Sequence, residues 1–228
     1  MTATYVGDEL ELFAKARNWK AYVGASLAPF IRGRVLDVGA GIGGNIRALT
    51  NPAVTEWVAL EPDARLAATI EADRCIVMNG TLESVPGSER FDTILYMDVL
   101  EHIADDREEI ARATRLLAPG GCLIVLAPAH QFLFSPFDTA VGHYRRYSLN
   151  QLRALKPARF RTEMCRLMDS VGFFASLANR AMLRQSAPSE RQIALWDRVM
   201  VRASRIVDPL AGFRLGKSAL MVWRANGI

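Results

Sequence analysis

Val35-Leu36-Asp37-Val38-Gly39-Ala40-Gly41-Ile42-Gly43-Gly44-Asn45 is the stretch on which the fold turns. Four β-type residues run into a cluster of glycines, and a helical stretch begins at Asn45. Glycine lets the backbone bend sharply and lets a ligand come close, with no Cβ in the way. The helix that follows aims its first N–H groups at that ligand. Working outward, the same alternation repeats. Trp57-Val58-Ala59-Leu60-Glu61 reads as a second strand with an acid at its end, and residues 63–72 as a helix. Cys75-Ile76-Val77-Met78 is a third strand, Phe91-Asp92-Thr93-Ile94-Leu95-Tyr96 a fourth, and Cys122 to Leu126 a fifth. A helix over 105–117 is stopped by Pro119-Gly120-Gly121. On the N-terminal side, an amphipathic helix from about Asp8 to Phe30 places Leu10, Phe13, Arg17 and Lys20 at helical spacing, with Trp19 and Tyr22 nearby.

Short strands alternating with helices predict an α/β fold: a doubly wound, Rossmann-like, mostly parallel sheet with helices on both faces. Such sheets bind ligands beyond the carboxyl ends of their strands. The residues to inspect therefore follow strands one, two, four and five. No internal repeat or linker divides residues 1–228, so one domain is expected. Its parts are a helical cap (1–30), a cofactor-binding core (31–127), an insertion on the substrate side (128–160), and C-terminal strands and helix (161–228).

The chain has 228 residues, 50% hydrophobic and 23% charged, which excludes disordered and collagen-like classes. No apolar run approaches the roughly 18 residues of a membrane-spanning helix. The first residues lead into Asp8, Glu9 and Glu11 without a basic and apolar leader pattern, which points to the cytoplasm. Cys75, Cys122 and Cys165 are too scattered for a disulfide framework or a zinc site, and no metal is expected. The net charge of +4 conceals a division. Residues 1–120 hold 12 basic and 18 acidic side chains; residues 121–228 hold 16 and 6. Either this is a solvated surface, or the second half faces something anionic.

Gly39, Gly41 and Gly44 fit the GxGxxG spacing of dinucleotide sites, and Glu61 lies 22 residues after Gly39, where a ribose-binding acid belongs. A nucleoside cofactor follows, with NAD and S-adenosylmethionine both open. Asp37 favours the second, because a carboxylate repels a pyrophosphate and attracts an ammonium or a sulfonium.

With these residues in view, the sequence resembles class I S-adenosylmethionine-dependent methyltransferases of the small-molecule type. The resemblance rests on Val35 to Gly43, Leu60-Glu61-Pro62, Phe91 to Ile94 leading to Asp98-Val99-Leu100-Glu101-His102-Ile103, and Leu117-Ala118-Pro119-Gly120-Gly121. It implies a seven-stranded sheet whose C-terminal strand, Ser218 to Arg224, is antiparallel. It also implies S-adenosyl-L-methionine as cofactor and S-adenosyl-L-homocysteine as product. By the same resemblance Asp37, Gly39, Ala40 and Gly41 hold the methionine moiety, Glu61 the ribose, Pro62 the adenine flank, and Asp98 and Val99 the methionine end. Where the family often has an Asp after strand three, this chain reads Asn79-Gly80-Thr81-Leu82, which leaves adenine contact to Thr81 or Leu82. The pair Asp98 and Glu101 also matches a helix capping box, and Glu101 and His102 then need no further role.

The insertion carries His130, Phe132, Phe134 and Phe137, then Gly142-His143-Tyr144-Arg145-Arg146-Tyr147. A similar His, Gly-His and Arg-Arg-Tyr pattern occurs in a subset of bacterial methyltransferases. Methyl transfer to a hydroxyl needs an aligned lone pair and a group to take the proton, and His130 and His143 are the candidate bases. Tyr144 and Tyr147 suit a sulfonium or an aromatic acceptor, and Arg145 and Arg146 a carboxylate or phosphate. The plain alternative is that His143 and the arginines lock the insertion to the body and to Asp138. Farther on, Ile193, Trp196, Met200, Ala203 and Val207 form one stripe over 190–207, with Arg191, Arg198, Arg202 and Arg205 elsewhere. Such a helix packs on the sheet, dimerises, or makes peripheral contact with a membrane or a lipid-like substrate.

The leading expectation is thus methyl transfer to O or N of a small, anionic or lipid-like molecule by a monomer or homodimer. The competing expectations are an NAD(P)-dependent oxidoreductase on the same sheet and a non-catalytic cofactor-binding partner subunit. No Asn-Pro-Pro-Tyr-like motif or RNA-binding module supports a nucleic-acid substrate.

Overall fold

The structure is a computed structural model and describes Phe13, residues 15–182 and residues 189–226. Seven strands form one sheet: β1 (Gly33–Val38), β2 (Val54–Glu61), β3 (Ile76–Asn79), β4 (Phe91–Met97), β5 (Leu117–Pro128), β6 (Phe160–Met168) and β7 (Ser218–Ala225). Their order is β3-β2-β1-β4-β5-β7-β6. The first five run parallel, while β7 is antiparallel to both β5 and β6. Chain order reverses between β1 and β4, so the ends of those two strands open the crevice where a doubly wound sheet takes its ligand.

Alternate residues of each strand feed two apolar layers. On β4, Ile94 and Tyr96 enter one cluster with α4 (Asp106–Leu116), which contributes Ile110, Ala113 and Leu116. Leu95 enters the other, with Tyr22, Val23 and Leu27 of α1 (Arg17–Leu27). Both faces are covered, which explains why the strands read as near-continuous apolar runs. Four shorter helices complete the loops: α2 (Gly44–Leu49), α3 (Ala64–Ala67), α5 (Pro136–Ala140) and α6 (Leu149–Ala154).

Between β6 and β7 the chain forms α7 (Ser170–Met182), α8 (Glu190–Leu195), a π-turn (Trp196–Met200) and α9 (Val201–Leu210). Asp197 lends its carboxylate to the start of α1, taking the backbone N–H groups of Asn18 (3.2 Å) and Trp19 (2.9 Å). Ala16 at that N-cap has no side chain to do so. Asp208 accepts from the Tyr22 hydroxyl at 3.0 Å and from the N–H groups of Asp169 and Ser170.

Several sequence expectations change. The helix over 63–72 shrinks to α3, and β5 begins at Leu117, at the very C-cap of α4. Of the N-terminal helix, Arg17 and Lys20 lie in α1, while Asp8 and Leu10 lie outside the described residues. The stripe over 190–207 is correct at Ile193 and Trp196 and then slips by one residue. The π-turn inserts an extra residue, so Val201, Ser204 and Asp208 turn inward and Val207 turns out.

Candidate functional site

The ends of β1, β2, β4 and β5 bring the candidate residues to one side of the sheet. Asp37 sits at the penultimate position of β1 and is fully buried. Asn45 Nδ2 donates to its Oδ1 at 3.0 Å, while Oδ2 has no hydrogen-bond partner. Burial pushes its carboxyl up to about 7, against the opposing pull of the Asn45 amide and of the Trp57 indole N–H, which faces it outside hydrogen-bond geometry. A buried carboxylate with an unclaimed oxygen is the group that a cationic ligand would satisfy.

The glycine turn then leaves β1. Gly39 and Gly41 adopt positive φ of 66° and 57°, and the Gly39 N–H donates to Leu60 O at 2.8 Å. Glu61 closes the turn from β2. Its Oε2 accepts from the Gly41 N–H (2.8 Å) and its Oε1 from the Asp63 N–H (2.9 Å). Each oxygen keeps a lone pair for a ribose hydroxyl. Ala40 is buried, and Pro62 is exposed beside Glu61. Asn79 at the end of β3 donates to the carbonyls of Glu61 and Pro62. It therefore stays in its own loop, with Thr81 exposed and Leu82 buried just after it. The residues present fit an S-adenosylmethionine-like group: an orphaned acid for its charge, a second acid for its ribose, and a glycine turn between them.

At the exit of β4 the capping-box expectation fails. Asp98 has φ of 56°, and the short turn Leu100–His102 has Val99 at its N-cap with no side-chain cap. Glu101 is fully buried and neither carboxylate oxygen has a hydrogen-bond partner. Burial raises its carboxyl well above the usual range, with Asp98 adding to the effect. The protein packed around Asp98 pushes its carboxyl up to about 6 although water reaches its side chain; His143 and Lys217 pull it down.

The insertion docks on this exit. The Tyr147 N–H donates to Pro128 O and the Tyr144 N–H to Glu101 O, both at 2.8 Å. Asp138, fully buried, is its hub. Its oxygens take the Ser135 N–H and hydroxyl (2.9 and 2.8 Å), Arg146 Nε (2.7 Å) and Nη2 (2.9 Å), and lie 2.9 Å from His143 Nδ1. These bonds outweigh burial and hold Asp138 far below the ordinary carboxylate range. Because Asp138 is an ionised acceptor, His143 Nδ1 carries a proton and points it at that carboxylate. That Nε2 is 3.9 Å from Glu101 Oε1, and the His143 ring meets His102 edge-on at 4.5 Å. Glu101, His102 and His143 offer ligand atoms within 4.8 Å of one another.

His130, at φ 68°, is the second candidate. Its Nε2 is 2.9 Å from Gly216 O, which can only accept, so Nδ1 keeps the lone pair. Burial lowers its pKa, and the imidazole is neutral at pH 7. Its ring lies 5.1 Å from Phe132 and 5.0 Å from Phe173.

Three substrate residues suggested by the sequence are otherwise engaged. Arg145 binds Asp106 (2.8 Å) and Ala104 O, and Arg146 is bound to Asp138. Tyr147 is 1% exposed, with its hydroxyl on Asp106 at 2.8 Å. Hydrogen bonds to the body of the protein hold these side chains, as the plain alternative had it for the arginines. Tyr144 remains exposed. Lys217 escaped the sequence reading. Its ammonium lies 3.9 Å from the Trp196 ring centroid and 3.4 Å from Asp169, behind Asp98. Asp169 also accepts from Trp196 Nε1 (2.6 Å) and Ser204 Oγ (2.8 Å). Nothing in the local sequence pairs positions 169, 196, 204 and 217; the fold does.

Comparison with known proteins shows the family of the chain. A family model described as a methyltransferase domain matches residues 9–176. A ubiquinone biosynthesis O-methyltransferase from Caulobacter sp. (strain K31) is 36% identical over 113 residues, covering 45% of this chain and 43% of that protein. A probable chloroplastic tocopherol O-methyltransferase from Oryza sativa subsp. japonica is 28% identical over 178 residues, covering 74% and 48%. The chain thus spans less than half the length of these curated relatives. A solved coclaurine N-methyltransferase bound to N-methylheliamine and SAH superposes with a TM-score of 0.61 at 12% identity, covering 91% of this chain and 72% of that one.

Proposed function

The chain belongs to the methyltransferase-domain family, and from that premise we propose that it transfers the methyl group of S-adenosyl-L-methionine to an oxygen of a small aromatic acceptor. The observation that carries the reading is the Asp138–His143 pair, which fixes an imidazole beside the exit of β4 through Nδ1 and leaves Nε2 as the atom to act as base. The cofactor supplies an electrophilic methyl on a sulfonium. Everything else falls to the side chains. Asp37 meets the ammonium, Glu61 the ribose hydroxyls, and the Gly39–Gly41 turn the backbone between them. His143 receives the acceptor hydroxyl proton, and Asp138 stabilises the imidazolium that forms. Asp138 is a positioning residue.

The ring cluster of His130, Phe132 and Phe173 supports an aromatic acceptor, since faces and edges of rings pack there without charge. The names of the O-methyltransferase relatives favour oxygen over nitrogen. Arg145 and Arg146 are bound to protein carboxylates, so an anionic group on the acceptor is not part of the reading.

Incubation with labelled S-adenosylmethionine and a panel of catechols, hydroquinones and aromatic amines tests it. Methylation of a phenolic oxygen, reduced roughly 10²- to 10⁴-fold in His143→Ala with cofactor binding intact, is the expected result. Asp138→Asn should show the same loss with partial recovery at high pH, where hydroxyl ionisation replaces the base. Methylation of amines alone, or unchanged turnover in His143→Ala, would overturn it.

A further inference from the structure

The inward face of the α8–α9 unit is settled: Ile193, Trp196, Val201, Ser204 and Asp208 turn to the body. Opposite them lies a face left exposed among the described residues. Leu195 is 52% exposed, Val199 56%, Ile206 67% and Leu210 83%. With Val207, five of the twelve exposed large apolar residues among those described fall within these sixteen positions. Single exposed apolar residues are ordinary, but a row of them along one helical face marks an interaction surface.

The charges around that row have one sign. Arg191, Arg198, Arg202 and Arg205 are all exposed. Arg202 Nε also donates to Asn18 Oδ1 at 3.2 Å and Arg205 lies over the Tyr22 ring, so the charge offered outward rests chiefly on Arg191 and Arg198. The three acids of the same unit are removed from the face. Asp197 and Asp208 are buried against α1 and the start of α7, and Glu190 is paired with Lys15. An apolar row flanked by unopposed arginines complements a surface that is negative at its rim and apolar beneath. A protein groove would need acids placed to match, whereas an anionic bilayer presents both layers everywhere. Among the described residues no helix is long and apolar enough to cross a membrane, so the contact is peripheral.

We propose that the outer face of α8–α9 docks the protein on an anionic lipid surface. The apolar row enters the headgroup boundary while the arginines meet lipid phosphates. The face bears on where an acceptor is met as well. Packed on α9, α7 carries Phe173 beside His130 and exposes Phe174 and Leu177. Docking itself is independent of the methyl-transfer reading.

Sedimentation of the full chain with phosphatidylcholine vesicles, and with vesicles of phosphatidylcholine and phosphatidylglycerol, tests the proposal. Binding is expected to the mixed vesicles and to fall as salt rises. Val199→Ser/Ile206→Ser/Leu210→Ser should weaken it at least tenfold, and Arg191→Gln/Arg198→Gln severalfold. All these positions are exposed, so unchanged thermal melting and cofactor titration will show that the variants fold. No binding to the mixed vesicles would overturn the proposal, as would binding that neither variant weakens. A dimer in sedimentation velocity that the apolar variant dissociates, without vesicle binding, would assign the face to a second copy instead.

Discussion

Asp37→Asn keeps the shape of a buried side chain and removes its ionisable proton. The carboxyl titrates near 3.8 in an unfolded chain and at about 7 in the folded one, because burial disfavours its charge. Between those values the unfolded chain releases a proton that the folded chain retains. The folded state of the cofactor-free protein therefore loses stability as pH rises from about 4, and the loss levels off above about 7. At about 1.4 kcal/mol per pH unit, the loss between pH 5 and pH 8 comes to roughly 3 kcal/mol. The Asn variant lacks this dependence, and Asn45 can still donate to it. For a chain of this length that predicts a melting-temperature advantage over the parent that widens by roughly 6 to 12 °C from pH 5 to pH 8. The same substitution removes the charge that should meet the cofactor's ammonium. Loss of one charged hydrogen bond should weaken S-adenosylhomocysteine by roughly 10- to 100-fold. Scanning calorimetry at several pH values, with isothermal titration of S-adenosylhomocysteine, checks both halves. A melting gap that stays constant with pH would refute the burial argument, and unchanged affinity would refute the assignment of Asp37 to the cofactor.

Gly39→Ala places a Cβ 2.7 Å from Val99 Cγ2 at a positive φ, and should cost about 1–3 kcal/mol in stability as well as cofactor affinity, read by thermal melts and titration. Glu101→Gln replaces a carboxyl that burial pushes well above its usual range, so the two proteins should differ least in melting at acid pH. The variant should become the more stable partner as pH rises, since the raised carboxyl loses stability in that direction. Asp169→Ala strands Trp196 Nε1 and Ser204 in the interior, leaves the partly exposed Lys217 without its carboxylate, and should lower unfolding free energy in urea by about 3 kcal/mol.

The parallel half of the sheet was legible because each strand is a short apolar run closed by a glycine, an acid or a proline, all local signals. The acids Asp37 and Glu61 were legible for the same reason: one lies a residue before the end of its strand and the other ends its strand. The insertion was legible only as a composition. His143, Arg146 and Asp138 are near in sequence, but whether arginine meets protein or substrate depends on a buried carboxylate whose burial no local pattern reveals. Asp98 and Glu101 have the spacing of a cap, yet the positive φ at Asp98 turns the chain away from one. The stripe over 190–207 failed by one residue because a π-turn leaves no periodic mark of its own. Lys217 stayed invisible because its partners come from positions 169 and 196.

The clamp of Asp197 and Asp208 on α1 also sets an order of events. Asn18, Trp19 and Tyr22 find their partners 178 to 186 residues away. During synthesis the cofactor half emerges first, with Tyr22, Val23 and Leu27 bearing apolar surface that the final elements must cover. Contacts of that sequence separation form slowly, and the interval leaves a sticky half-protein on the ribosome. Truncation before α9 should therefore yield aggregation rather than a smaller working domain, and chaperone dependence should fall once residue 208 has cleared the exit tunnel.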